Sequence, residues 1–277
     1  MRKLPLFLTA LLVIFIYSCK KSSSSNNNSA NSNAWLSSVT SWSSPTSVVD
    51  SFAYDSTHRV ASYTQLEFDT STGTPYAYTW SAVFSLAAGG SAPPSSYTNN
   101  LTGTSELHQL TYDAQGRILK DSSLGSSGWV IYFSYPANAI AITALYDGTI
   151  ANSIVDTLFL SGGNIANTHI YAPNNAGTAD SLEGTLKFGF SGVSNPAYHS
   201  AITSSVGPLL YILAISGFGG NYDAISQKAF NSVSGVGDGL PSGVTFNYTL
   251  STDTQGRLSG QSINVAGSES TISYRYY

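Results

Sequence analysis

The residues able to do chemistry are few and far apart. Two pairs stand two residues apart in stretches that read as strand, Glu67 with Asp69 and Glu106 with His108. Side chains at i and i+2 of an extended chain share a face, so either pair could hold calcium or act as general acid and base on a glycan. Both lie near expected strand ends, where a solvated carboxylate is the ordinary role. The four histidines, His58, His108, His169 and His199, show no His-x-x-x-His or Glu spacing that would assemble a zinc site locally. There is no Gly-x-Ser-x-Gly elbow, and Gly217, Gly219, Gly220 and Tyr222 do not complete a dinucleotide-binding loop. The expectation is a protein with no catalytic residues, no metal and no cofactor.

Cys19, the single cysteine, has a clearer fate. Arg2 and Lys3 precede an apolar run from Leu4 to Tyr17, which is shorter than the roughly 20 residues of a spanning helix but suits the core of an export signal. Residues 1–18 therefore read as a signal peptide. The ending Ile16-Tyr17-Ser18-Cys19 resembles the bacterial lipobox. That resemblance implies cleavage before Cys19 and a diacylglyceryl thioether on its sulfur, so the membrane is the expected partner. Lipidation uses the only thiol, which leaves a mature domain without disulfides. Residues 19–33 are the lipidated Cys and a Lys-Lys, Ser and Asn tether, too polar to offset chain entropy by burial. Lys20, where Asp would retain a lipoprotein in the inner membrane, favours an outer-membrane lipoprotein on the periplasmic side or the cell surface.

The positioning elements follow from composition and period. Of 277 residues 42% are apolar and only 9% charged. With four bases in the first 21 residues, the remainder carries 7 bases against 15 acids, a balance that excludes nucleic acid as a partner. Beyond the tether the dominant signal is period two. Tyr76, Tyr78, Trp80, Ala82, Phe84 and Leu86 share one face; Leu182, Leu186, Phe188 and Phe190 do the same, as do Val244, Phe246, Tyr248 and Leu250. Links rich in Gly, Asn, Ser, Asp and Pro separate such runs. The pattern predicts a single all-β domain over residues 34–277, an antiparallel meander of about a dozen strands curled into a barrel or strongly curved sheet. One helical insertion is expected at about 195–239, centred on the apolar stretch Val206 to Ile215, which would cover the sheet. An apolar interior lined by Tyr78, Trp80, Phe84, Phe188 and Phe246 is the matching expectation.

Three segments repeat one local pattern: Asp55-Ser-Thr-His58-Arg59, Asp113-Ala-Gln-Gly116-Arg117 and Asp253-Thr-Gln-Gly256-Arg257, the first two after a Tyr. A degenerate fourth is Ser161-Gly162-Gly163-Asn164. The physics is a tight hairpin: the Asp carboxylate accepts amide hydrogen bonds, Gly takes positive φ, and the Arg pairs with the Asp or lies over an aromatic ring. His58 in the glycine slot is strained unless that turn differs. These copies resemble the Tyr-Asp repeats of Rhs-type shell proteins. They resemble better the scattered hairpins of a family of bacterial secreted lipoproteins of unknown function with a porin-like fold, whose Asn-Pro segment is matched by Asn195-Pro196. The likeness spans roughly Ser47 to Tyr277 and implies a barrel or curled sheet in a lipid-anchored protein, with no assigned catalytic residues.

Three functions compete. The first is a non-enzymatic, lipid-anchored envelope module that is structural or binds a glycan, an apolar ligand or an envelope protein. The second is a glycan-degrading enzyme using sheet carboxylates. The third is a transmembrane barrel, suggested by the terminal Ile272, Tyr274, Tyr276 and Tyr277.

Overall fold

The computed structural model describes residues 35–43, 45–69, 76–87, 92–101, 104–145, 153–173, 180–195, 209, 226–237, 244–265 and 268–277. Cys19, the signal segment and the tether lie outside them. The elements are all strands apart from helical Leu209: β1 (Leu36–Ser43), β2 (Thr46–Tyr54), β3 (Val60–Asp69), β4 (Tyr76–Ser85), β5 (Ser96–Leu101), β6 (Thr104–Tyr112), β7 (Ile118–Ser123), β8 (Val130–Ser134), β9 (Ala139–Leu145), β10 (Ser153–Ser161), β11 (Asn164–Pro173), β12 (Asp180–Ser194), β13 (Lys228–Gly237), β14 (Thr245–Asn247), β15 (Thr249–Thr252), β16 (Leu258–Val265) and β17 (Ser268–Tyr276).

From β1 to β14 and from β15 to β17 each strand pairs antiparallel with the next, and β17 returns to β1 through Val39 opposite Tyr274. β14 and β15 are two halves of one line broken at Tyr248: the first half pairs β13, the second β16, and the Tyr248 amide still donates to Asn231 O at 2.8 Å. The sheet is therefore an up-and-down barrel with no free edge.

The strand number exceeds the expected dozen because the inward face is not uniformly apolar. On β3 the buried row is Tyr63, Gln65 and Glu67; on β7 it is Ile118 and Asp121. Strands whose buried side chains are polar give no apolar alternation to read. The insertion is also shorter than expected: Lys228–Gly237 is strand β13, held between β12 and β14. Of Val206 to Ile215, Leu209 alone is described; it is helical and completely buried in the main core.

A round barrel with this many strands would leave an aqueous lumen. Here inward Tyr63, Tyr97, Ile142, Leu158 and Leu186 are sealed from water and belong, with Leu209, to one contiguous core running from β3 to β13. A smaller cluster of Leu36, Val39, Ala229, Leu258 and Tyr274 closes the ring. Outward positions read differently. Ser51, Gln109, Thr111, Lys187, Thr245, Asn247, Ser273 and Arg275 are exposed, with Trp42, Phe68, Val83, Leu107, Tyr132 and Val236 scattered among them.

Strand direction alternates around the ring, so the links fall at two ends. The three Asp-Arg turns, the Gly162-Gly163 hairpin, the β12–β13 crossing and both Trp35 and Tyr277 share one end, called here the turn end. The three turns are built alike. In each the Asp amide donates to the Arg carbonyl at 2.9 Å, and the residue before the Arg donates back to the Asp carbonyl. Gly116 and Gly256 have φ of 76° and His58 has 63°, so the His58 turn is not widened to escape the left-handed region. The His58 ring instead stacks on Trp35 at 4.6 Å.

Candidate functional site

The three turns gather the Asp and Arg residues into structural units. Arg59, Arg117 and Arg257 each donate Nε to their own Asp, at 2.6 to 2.8 Å. Desolvation raises the pKa of Asp55, Asp113 and Asp253, but hydrogen bonds from the Arg backbone and side chain outweigh it and hold all three below the usual carboxylate range. Arg117 also lies over Tyr135, and Arg257 over Tyr276. Each of those tyrosines donates its hydroxyl to the carbonyl just after the arginine, Ile118 and Leu258. Arg59 has no such ring among the described residues and donates also to Ala87 O and Ala92 O. The tyrosine staples were not legible in sequence, because the ring lies 18 or 19 residues beyond its arginine.

Asp50 and Asp121, which the sequence did not single out, are buried inside the barrel. Asp50 is fully buried and accepts from Tyr63 OH and, at 2.9 Å, from Gln65 Nε2. Burial dominates and pushes its pKa up to about 6. Asp121 is completely buried on β7. It accepts from Tyr97 OH at 2.7 Å through Oδ2, while His108 Nδ1 lies 2.9 Å from Oδ1. Tyr97 also stacks on the His108 ring at 4.6 Å. Burial first, then the Asp121 charge, raises the Tyr97 hydroxyl well above its ordinary pKa, so it is a fixed donor.

From this buried base the group continues toward the end opposite the turns. His108 is only 2% exposed, and its Nε2 faces Glu106 Oε2 at 3.7 Å without a hydrogen bond. Glu106 is held from the other side, its Oε1 accepting the Ser127 amide at 3.0 Å. Burial raises the Glu106 pKa, but Ser127, Ser123 and the nearby His108 lower it by more. The expected Glu106–His108 pair thus does share a face, and closure of the barrel adds Tyr97 and Asp121 behind it. A signal for Asp121 existed in the Asp113 turn: counting back along that hairpin sets Leu110 opposite Asp121 once a one-residue shift at Thr111/Tyr112 is allowed.

The second expected pair, Glu67 and Asp69, also points inward, opposite Tyr78 and Tyr76. Glu67 is buried rather than solvated, and burial followed by the Asp69 charge raises its pKa. Among the described residues no three His, Cys, Asp or Glu side chains converge as metal ligands. His169 packs against Phe159 and Tyr171, and His58 on Trp35; His199 lies outside the described residues.

No family model and no curated protein matches the sequence. Solved structures do match. A porin-like protein from Bacteroides uniformis aligns with a TM-score of 0.54 at 14% identity, over 87% of this chain and 98% of its own. A porin-like protein from Bacteroides vulgatus aligns with a TM-score of 0.52 at 11% identity, over 88% and 99%. At such identities the likeness is one of fold: this chain has a porin-like antiparallel barrel.

Proposed function

We propose that the chain is a lipid-anchored barrel of the bacterial outer membrane, attached through Cys19 and acting as a non-enzymatic binding or structural module. The observation that carries this reading is the inversion of faces relative to a pore. Most of the buried side chains form one apolar core, while the outward rows are rich in Ser, Thr and Asn and carry Lys187 and Arg275, with large apolar residues only scattered among them. A barrel that crosses a bilayer needs the reverse, an apolar outer band and a polar interior. Water outside and a filled centre suit a domain held beside the membrane by a tether. The same packing weighs against a carrier of apolar ligands. Trp35 enters at the turn end, so an anchor attached before it would hold that end toward the lipid and turn the Glu106 end away.

Radioactive palmitate should label the wild type and not the Cys19→Ser variant; equal labelling overturns the anchor. A chain beginning at Asn33 should remain soluble without detergent. A requirement for detergent would favour a transmembrane barrel. Glycan hydrolysis that disappears in Glu67→Gln or Glu106→Gln would replace the binding module by an enzyme.

A further inference from the structure

We propose that Asn99, Glu106 and His108 hold one divalent first-row transition-metal cation, of the zinc class, just inside the end of the barrel opposite the turns. The three side chains come to one place through register. Asn99 on β5 stands directly opposite Glu106 on β6, and His108 follows two residues on along the same inward face. Two of the three present buried polar atoms without a hydrogen-bond partner, Asn99 Oδ1 and His108 Nε2. A buried polar atom left unpaired is costly, so two of them on the inward face beside Glu106 call for a shared occupant.

The chemistry of the occupant follows from what each atom offers. Asp121 Oδ1 lies 2.9 Å from His108 Nδ1; with the Nδ1–H donating to that carboxylate, Nε2 is the ring atom left to bind a cation. Glu106 and Asn99 Oδ1 are likewise acceptors. Nε2 and Glu106 Oε2 stand 3.7 Å apart, too far for a hydrogen bond. That separation is close to the edge of about 3.4 Å that a nitrogen and an oxygen make when both bind tetrahedral zinc at 2.0–2.2 Å. One imidazole and two oxygens suit zinc or cobalt better than calcium, which takes six or more oxygens. The support behind the ligands is also present: Asp121 orients the ring as carboxylates behind zinc-bound histidines do, and Tyr97 fixes Asp121. Gly125 leaves room for Glu106, since a Cβ there would collide with its carboxylate. With three protein ligands the fourth position is open to water or to a ligand group.

The test is titration of the full chain, purified in detergent and stripped with chelator, with Co²⁺ followed by visible absorption. One equivalent should bind with the intensity of a tetrahedral site, and zinc but not calcium should displace it. Glu106→Gln and Asn99→Ala should each weaken binding at least tenfold, Asp121→Asn by about 10–100-fold, and His108→Gln should abolish it. Asn99 and Glu106 are only partly buried, so their variants keep the test decisive should His108→Gln not fold. Absence of one-equivalent binding would overturn the proposal. So would binding unchanged in Glu106→Gln and Asn99→Ala, or nitrogen NMR showing both His108 ring nitrogens protonated in the presence of the metal.

Discussion

At the turn end, Asp55, Asp113 and Asp253 are each answered within their own hairpin, by Arg59, Arg117 and Arg257 four residues on. At the opposite end, Glu106 and His108 meet at 3.7 Å with no hydrogen bond between them, and their supports arrive from β5, β7 and the Ser127 link. One end repeats a self-contained solution, and the other leaves polar groups open. The difference separates two uses of the same residue types. Charges satisfied locally add to stability, whereas charges assembled across strands and left incomplete are where a fold carries a site.

The comparison breaks most sharply at Asp55. Arg59 is 7% exposed, so Asp55→Ala leaves a buried guanidinium without its partner and should cost roughly 3 kcal/mol. Glu106→Gln should change metal-free stability by less than about 0.5 kcal/mol. Urea unfolding followed by tryptophan fluorescence compares the two, and an equal loss would abolish the distinction between the ends.

Asp50, midway between the ends, gives a pH signature. Its folded pKa of about 6 lies above the ordinary 3.8. The stabilisation from its neutral form is therefore whole below pH 4 and lost as pH rises through 6, roughly 3 kcal/mol in all. Asp50→Asn keeps an acceptor for Tyr63 and removes the ionisation. The variant should gain on the wild type between pH 4 and 7 by up to that amount in paired thermal melts. Parallel curves would mean that the carboxylate is not desolvated.

The turns themselves sharpen the comparison. Gly116→Val and Gly256→Val force a β-branched residue to positive φ and should each lose about 1 kcal/mol or more. His58→Gly relaxes the same backbone position but gives up the Trp35 stack, and should come out near neutral. A large loss in His58→Gly, with none at Gly116 or Gly256, would show that stacking rather than backbone geometry sets these turns. The smallest effect is expected at Glu67. With its pKa raised, Glu67→Gln should stabilise slightly at pH 8 and not at pH 4, a difference that calorimetry at the two pH values can read.

Much of the fold was legible along the chain. Trp80, Ala82 and Phe84 alternate with Ser81, Val83 and Ser85, and that period of two sufficed for an antiparallel meander with a buried face. The Asp113-to-Arg117 and Asp253-to-Arg257 turns were equally readable, because every bond that defines them closes within five residues. Of the site, Glu106 and His108 were visible as a pair on one face. Tyr97 and Asp121 were not, since the bond joining them spans 24 residues and exists only once β5, β6 and β7 are in register. Ring closure lay further still beyond local reading: the Tyr277 hydroxyl donates to Phe52 O across 225 residues. Local sequence determined which side chains point together, because backbone period and turn geometry are short-range properties. The tertiary structure decided which of those faces became an interior and set Asn99 opposite Glu106 with His108 next along the same face, because register between strands is set only when the whole barrel packs.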